Sequence, residues 1–362
     1  MTHRRQIVIG SAAWLIAASA GAATKRAKGN SGKKVALVDD GAPDVVTYGL
    51  REDVVRFAEG VAERRELDVE WVKASLGQAR FVPAVTRYIM PPTTGTAKNW
   101  GAYRARFVEP IRIRAGAAFW RANRKWLALA EELYGVPPEI VVGIVGVESI
   151  YGRQMGNFRV IDALATLSFD FPVGRKDCSD FFRDELENWF VLCKSEGIDP
   201  LAWKGSYAGA IGMAQFMPSS FNRYAVDFDG DGRVSLHDSA ADVIGSVAHY
   251  MAEFGWKRGL PVRFSVQPPS DAADRAVLLA PDILPTFSAA EMQARGAALP
   301  PEATSVDSAL ALVELENGGA APSYVAGTSN FYAVTRYNWS SYYALAVVEL
   351  GEAVRAARGR PS

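Results

Sequence analysis

Glu148 closes an otherwise uncharged run, Ile140 to Val147, inside the apolar stretch Pro138 to Ser149. A carboxylate in such a place is desolvated, which disfavours its charged form and raises its pKa. A proton held near neutral pH is what a general acid needs to protonate a leaving oxygen such as that of a glycosidic bond. The residues alone leave a second reading open, a helix-terminal glutamate that faces solvent or pairs with Arg153 or Arg159. Further on, the segment Gly205 to Ser220 is rich in small residues that let backbones approach closely. Its Ser206 and Gln215 offer neutral groups suited to amides and hydroxyls. Taken alone, this segment also reads as a tight loop and the start of a buried helix.

A second constellation is acidic. Asp227, Asp229 and Asp231 occupy positions one, three and five of a calcium-type loop, and Gly232 stands at six. Arg233 would offer its carbonyl at position seven, Val234 fills the apolar slot, and Ser235 follows at nine. Several hard oxygens must converge on one ion, and the glycine permits the sharp turn this needs. Position twelve is Asp238, a shorter arm than the usual glutamate, and Asp242 one turn on is the alternative closing ligand. The pattern predicts structural calcium at an affinity of ~10⁻⁴ M, as in extracellular modules. An acidic turn without metal is the plainer alternative. His3, His237 and His249 leave little room for a histidine-based centre.

Around these candidates, the chain has 362 residues, 49% apolar and 22% charged, which excludes wholesale disorder. At ~150 residues per domain it has room for two or three domains. Lys+Arg and Asp+Glu are balanced at 40 each, so no global field argues for nucleic acid or an anionic membrane face. The first residues read as an export signal: His3-Arg4-Arg5, then an apolar stretch Ile7 to Ala20 with small residues for cleavage. That predicts a signal peptide over 1–23, with a weak twin-arginine character. Residues 24–44 read as a flexible basic linker.

The positioning elements are mostly helical. Val54, Ala58, Val61 and Ala62 recur at helical spacing, and Asp68 can cap a second helix. The pattern predicts one helix from Tyr103 to Tyr134, with Phe119, Trp126, Leu127, Ala130 and Leu133 on one stripe, ended by Gly135. Pro137-Pro138 starts the buried Glu148 helix, and two more are expected over Ser179–Glu196 and Asp238–Phe254. Alternation around 262–266 and 309–316, before the Asn317-Gly318-Gly319 turn, predicts a small β-containing insertion over 262–320. A helix from about Ser340 to Ala357 closes the chain. Cys178 and Cys193 would lie roughly 22 Å apart along one helix, beyond disulfide reach, so two separate thiols are expected.

The stretches Gly146-Val-Glu-Ser-Ile-Tyr-Gly152, Asp162-Ala-Leu-Ala-Thr-Leu-Ser-Phe-Asp170 and Gly209-Ala-Ile-Gly-Met-Ala-Gln-Phe-Met-Pro-Ser-Ser220 resemble the lytic murein transglycosylase B family. Phe119-Trp120, Tyr134 to Pro137, Gly245 to Ala248 and Arg336-Tyr337-Asn338 fall in the same order, so the similarity spans about 48–355. The resemblance implies a mainly α fold: a lysozyme-like catalytic core with surrounding helices, an EF-hand-like calcium loop and the small inserted β-containing domain. On that plan 45–125 is an N-terminal helical domain, 126–261 the core with calcium loop 227–238, and 321–358 a segment returning to the helical domain and groove. It implies Glu148 as single catalytic acid and base, cleaving the MurNAc-GlcNAc linkage of peptidoglycan to a 1,6-anhydro sugar without consuming water. It also implies that Ser206, Gln215, Phe216, Tyr250, Tyr337, Asn338 and Tyr343 line the glycan groove, and that Arg175 and Lys176 face the peptide side. Asp162 and Asp170 are better read as caps or structural pairs. No organic cofactor, nucleic acid or stable membrane anchor is expected, and a periplasmic monomer is. The rival readings are a hydrolytic muramidase and a non-catalytic peptidoglycan binder.

Overall fold

The computed structural model describes residues 46–49, 51–91 and 98–359; the expected signal peptide and basic linker lie outside them. The N-terminal helices are α1 (Glu52–Arg65), α2 (Val69–Gly77), α3 (Pro83–Tyr88), α4 (Trp100–Phe107), α5 (Pro110–Ala122) and α6 (Arg124–Tyr134). Next come α7 (Pro138–Ser149), β1 (Phe158–Arg159), α8 (Val160–Phe169), α9 (Ser179–Glu196), β2 (Lys204–Gly205), α10 (Pro218–Tyr224) and α11 (Ala240–Glu253). The last third holds β3 (Arg263–Ser265), α12 (Ala272–Leu279), α13 (Ala289–Ala294), α14 (Pro301–Thr304), β4 (Ala311–Asn317), β5 (Ala320–Gly327), α15 (Ser329–Thr335) and α16 (Ser341–Ala357). Among the described residues no helix is long and apolar enough to cross a membrane.

Local chemistry accounts for many boundaries. Asp68 caps α2 by accepting the Trp71 amide, and Gly135 ends α6 in the left-handed region. The single helix expected over 103–134 is instead three. Glu109 caps α5 by accepting the Ile111 and Arg112 amides, Pro110 takes the first helical position, and Asn123 separates α5 from α6. Leu133, expected on the buried stripe, is 58% exposed. The α9 helix runs unbroken, and Cys178 and Cys193 are free thiols.

One apolar core extends from Tyr48 to Val354. At its centre lies α7, whose residues Ile140 to Val147 are all buried. The α16 helix packs along it at very short range. A Cβ added to Gly143 would stand 2.2 Å from the Val347 carbonyl oxygen, and one on Gly351 would stand 2.1 Å from that of Glu139. Only glycine permits this crossing, and the crossing sets what the N-terminal turn of α16 can reach.

A smaller apolar cluster (Phe264, Leu278, Met292, Leu310, Leu312, Ala326) sits under an antiparallel sheet of order β3-β5-β4. Residue 320, expected as a boundary, is instead the first residue of β5, and pairing continues to Gly327. The Gly318-Gly319 turn, both residues at positive φ, folds β5 back onto β4, so both strands belong to one sheet.

Candidate active site

Glu148 occupies the last turn of α7. Protein encloses it on nearly all sides, yet the side chain keeps a partial opening to solvent. Burial pushes its carboxyl up to about 8. The Tyr343 hydroxyl, in the first turn of α16, donates to Oε1 at 2.6 Å and works in the opposite direction by favouring the charged form. With Oε1 accepting, the proton of the neutral acid belongs on Oε2. The site therefore presents a carboxylic acid that stays protonated at neutral pH, with one oxygen oriented.

The aromatic residues expected to line a groove form a wall behind the acid instead. Tyr337 and Tyr343 stack with centroids 6.3 Å apart at 12°, and Phe216 and Tyr250 pack on Tyr337 at 5.8 and 4.9 Å. None of the four exposes more than 7% of its surface. Their polar ends are engaged as well: Tyr337 donates to the Ala214 carbonyl at 2.5 Å and Tyr250 to that of Arg336 at 2.8 Å. Phe216, Tyr250, Tyr337 and Tyr343 are thus buried against one another, and Tyr343 is the member hydrogen-bonded to Glu148. Their faces are taken up by one another.

The loop opposite is drawn to the end of α7. Ser149 donates to the Met213 carbonyl at 2.8 Å, directly beside Glu148. Gln215 is held at φ 51, in the left-handed region, and its amide nitrogen donates to Gly212 at 2.8 Å and Met155 at 3.2 Å. Ile150 and Tyr151 also take positive φ at 51 and 55. For a β-branched residue such as Ile150 this is a strained geometry, costing ~1–3 kcal/mol, right after the acid. The Ser206 hydroxyl oxygen accepts the Ala208 and Ala210 amides at 3.2 and 3.0 Å, so it braces the turn and retains its proton to donate. Asn338 is half-buried, and its side chain makes no hydrogen bond among the described residues.

Comparison with known proteins decides the lineage. The transglycosylase SLT domain family matches residues 49–352. The chain belongs to that family. It is 38% identical over 311 residues to the membrane-bound lytic murein transglycosylase B of Escherichia coli K12, covering 84% of this chain and 82% of the relative. Among solved structures, catenated lytic transglycosylase SltB1 of Pseudomonas aeruginosa superposes with a TM-score of 0.79 at 38% identity, over 86% of this chain and all of that one. The Escherichia coli lytic transglycosylase Slt35 in complex with calcium gives 0.75 at 37%, over 86% of this chain and 95% of that one.

Two further features of this transglycosylase domain sit away from the acid. In the acidic loop, oxygens of Asp227, Asp229 and Asp242 lie within 4.8 Å of one another. Asp238, at the ordinary twelfth place, is outside that set, as is Asp231, whose carboxylate accepts the Arg233 amide at 2.9 Å. Ser235 donates its amide to Asp242 and accepts the Asp238 amide on its hydroxyl. Burial raises the Asp242 carboxyl, and the charges of Asp229 and Asp227 add to this against the Ser235 and Phe228 amides, which lower it. Two hard carboxylates crowded against a buried third are a donor set that fits calcium. On the other side, Arg175 is turned inward to the Ile89 carbonyl, whereas Lys176 is exposed. Asp162 is paired with Arg159 at 2.7 Å, and Asp170 with Arg51 at 2.8 Å and Tyr48 at 2.6 Å. Both are structural pairs.

One residue near the acid escaped sequence reading. Burial, and after it the Glu148 charge, pushes the Tyr103 phenol up, which places it within electrostatic reach of the site. It lies in α4, within a segment that carries no motif around it.

Proposed function

We propose that this lytic transglycosylase, an enzyme acting on peptidoglycan, uses Glu148 as its single acid and base. In the first step Glu148 gives its proton to the oxygen linking N-acetylmuramic acid to N-acetylglucosamine. The bond from that oxygen to the muramyl anomeric carbon breaks while the carbonyl oxygen of the muramyl N-acetyl group bonds to the same carbon. In the second, the Glu148 carboxylate takes the proton of the muramyl C6 hydroxyl. The C6 oxygen then displaces the acetamido oxygen, closing a 1,6-anhydro ring and regenerating the acid. No water enters, and no second carboxylate is needed, unlike in most glycosidases.

The observation that carries this reading is the carboxyl held at about 8 by burial with Tyr343 on Oε1. An acid of that strength is protonated for the first step and basic enough for the second. Gln215, Ser206, Asn338 and Lys176 are the polar groups available to substrate, with Arg175 at the rim. Calcium held by Asp227, Asp229 and Asp242, with the Arg233 carbonyl and Ser235 beside them, braces the loop structurally; Asp231 and Asp238 are the outer acids. The sheet β3-β5-β4 with its own small core is an inserted unit, and the chain acts as a monomer exported to the periplasm by segment 1–23. Glu148→Gln keeps the shape and removes the proton. It should abolish product while the protein still binds glycan strands. Mass spectrometry of a wild-type digest separates this mechanism from a muramidase, because the anhydro product is lighter by one water. Turnover retained in Glu148→Gln would overturn the assignment.

A further inference from the structure

Tyr88 ends α3 with 54% of its surface exposed, and two other rings hold it in place. Tyr207 packs on it at 5.5 Å, and the Phe158 ring meets it edge-on at 6.1 Å and 79°. Phe158 belongs to β1 and pairs with Gly205 of β2. Gly205 is bridged to Ile211, and Ile211 to Phe216. A continuous backbone ladder therefore joins the ring cluster to the Gln215–Phe216 turn, whose near neighbour Met213 accepts the Ser149 hydroxyl beside Glu148. Three ladder steps of ~4.8 Å span at most about 14 Å, the reach of a short run of linked sugars. Ser206 lies in the turn between the second and third rungs, directly before Tyr207. Arg175 is anchored on Ile89, next in the chain to Tyr88, and its charge acts on Tyr207.

The geometry points to a distal glycan subsite in which the exposed face of Tyr88, backed by Phe158 and Tyr207, carries the apolar face of a pyranose several units from the cleaved bond. This rests on the peptidoglycan reading above and extends it to substrate length. Tyr88 is held by ring contacts rather than by a flexible loop, so a sugar meets it without ordering cost. The ligand class is the glycan strand itself, not the stem peptide, because the platform is a ring face continuous with the ladder bearing Gln215.

The test uses the intact enzyme and glycan strands sorted by length, in parallel sets with and without their stem peptides. For Tyr88→Ala, the ratio of kcat/KM on long strands to that on fragments too short to reach residue 88 should fall several-fold to about tenfold, the scale of one aromatic contact. The change should appear in KM rather than kcat, since the contact is equal in ground and transition states. Tyr88→Phe should retain the wild-type ratio and Tyr88→Trp should raise it, which keeps the test decisive if the alanine variant folds poorly. An equal loss on both lengths would make the ring merely structural. A loss seen only on peptide-bearing strands would assign Tyr88 to the stem, and an unchanged ratio would remove it from binding. Each of these three overturns the proposal. Failure of the underlying reading looks different: wild-type enzyme would yield no anhydro product from strands of any length.

Discussion

Replacing Tyr343 by Phe isolates the one side-chain hydrogen bond that reaches the acid among the described residues. The phenol donates to Glu148 Oε1 at 2.6 Å from a residue with 0% exposure, so the bond is made on the protein side of the carboxyl. Phe keeps the ring against Tyr337 and removes only the oxygen. A hydrogen bond to a charged group contributes ~1.5–3 kcal/mol, and one pKa unit corresponds to ~1.36 kcal/mol. Because the bond favours the carboxylate, losing it lets Glu148 keep its proton to higher pH, by about one to two units above its present value of about 8. The alkaline limb of kcat/KM against pH reports the free enzyme's essential acid. In wild type it should bend near 8, and in Tyr343→Phe it should move up by that margin, measured by release of anhydro product from glycan strands. The neutral-pH rate should fall at the same time, since the base of the second step has lost its orientation. A limb that stays in place or moves down would refute the argument that Tyr343 stabilises the charged form.

Glu148→Gln should also stabilise the fold. The folded carboxyl holds its proton to about 8 against 4.5 for an ordinary glutamate, so the folded state binds more protons than the unfolded between those values. Stability therefore falls as pH rises through that window, by at most about 5 kcal/mol, and the variant should lose this slope in urea titrations run from pH 4 to 9. Gly143→Ala places a methyl 2.2 Å from the rigid Val347 backbone; overpacking of ~1–3 kcal/mol and a rate loss from displacing Tyr343 should appear together in melting and turnover assays. Chelating calcium should lower the melting temperature by a few degrees, about 1.4 kcal/mol at 1 mM calcium and ~10⁻⁴ M affinity, and Asp242→Asn should abolish that response. An unchanged melting temperature would leave the acidic cluster without a metal.

Much of this architecture was legible because it is local. The uncharged run before Glu148, the Asp68 cap, the Gly135 stop and the whole span of α9 follow from spacing and capping within a few residues. The break at Glu109-Pro110 was equally local, an N-cap followed by a proline, but the surrounding apolar spacing masked it. The aromatic residues mark a different limit. Sequence places Phe216, Tyr250, Tyr337 and Tyr343 in the right neighbourhood, but a ring's type does not reveal which neighbour covers its face. The acidic loop likewise left Asp238 and Asp242 open, since one more turn of helix changes which carboxylate swings toward Asp227.

The amino-acid sequence by itself determined a desolvated carboxyl at the end of a buried helix, a mainly helical chain and a cluster of acids spaced for a hard cation. Only the tertiary structure decided that Tyr343, 195 positions away, would be the group touching that carboxyl. Helix periodicity and caps arise from interactions over three or four residues. The meeting of α7 and α16 depends on two backbones approaching at Gly143 and Gly351, a contact whose geometry exists only once both helices are packed.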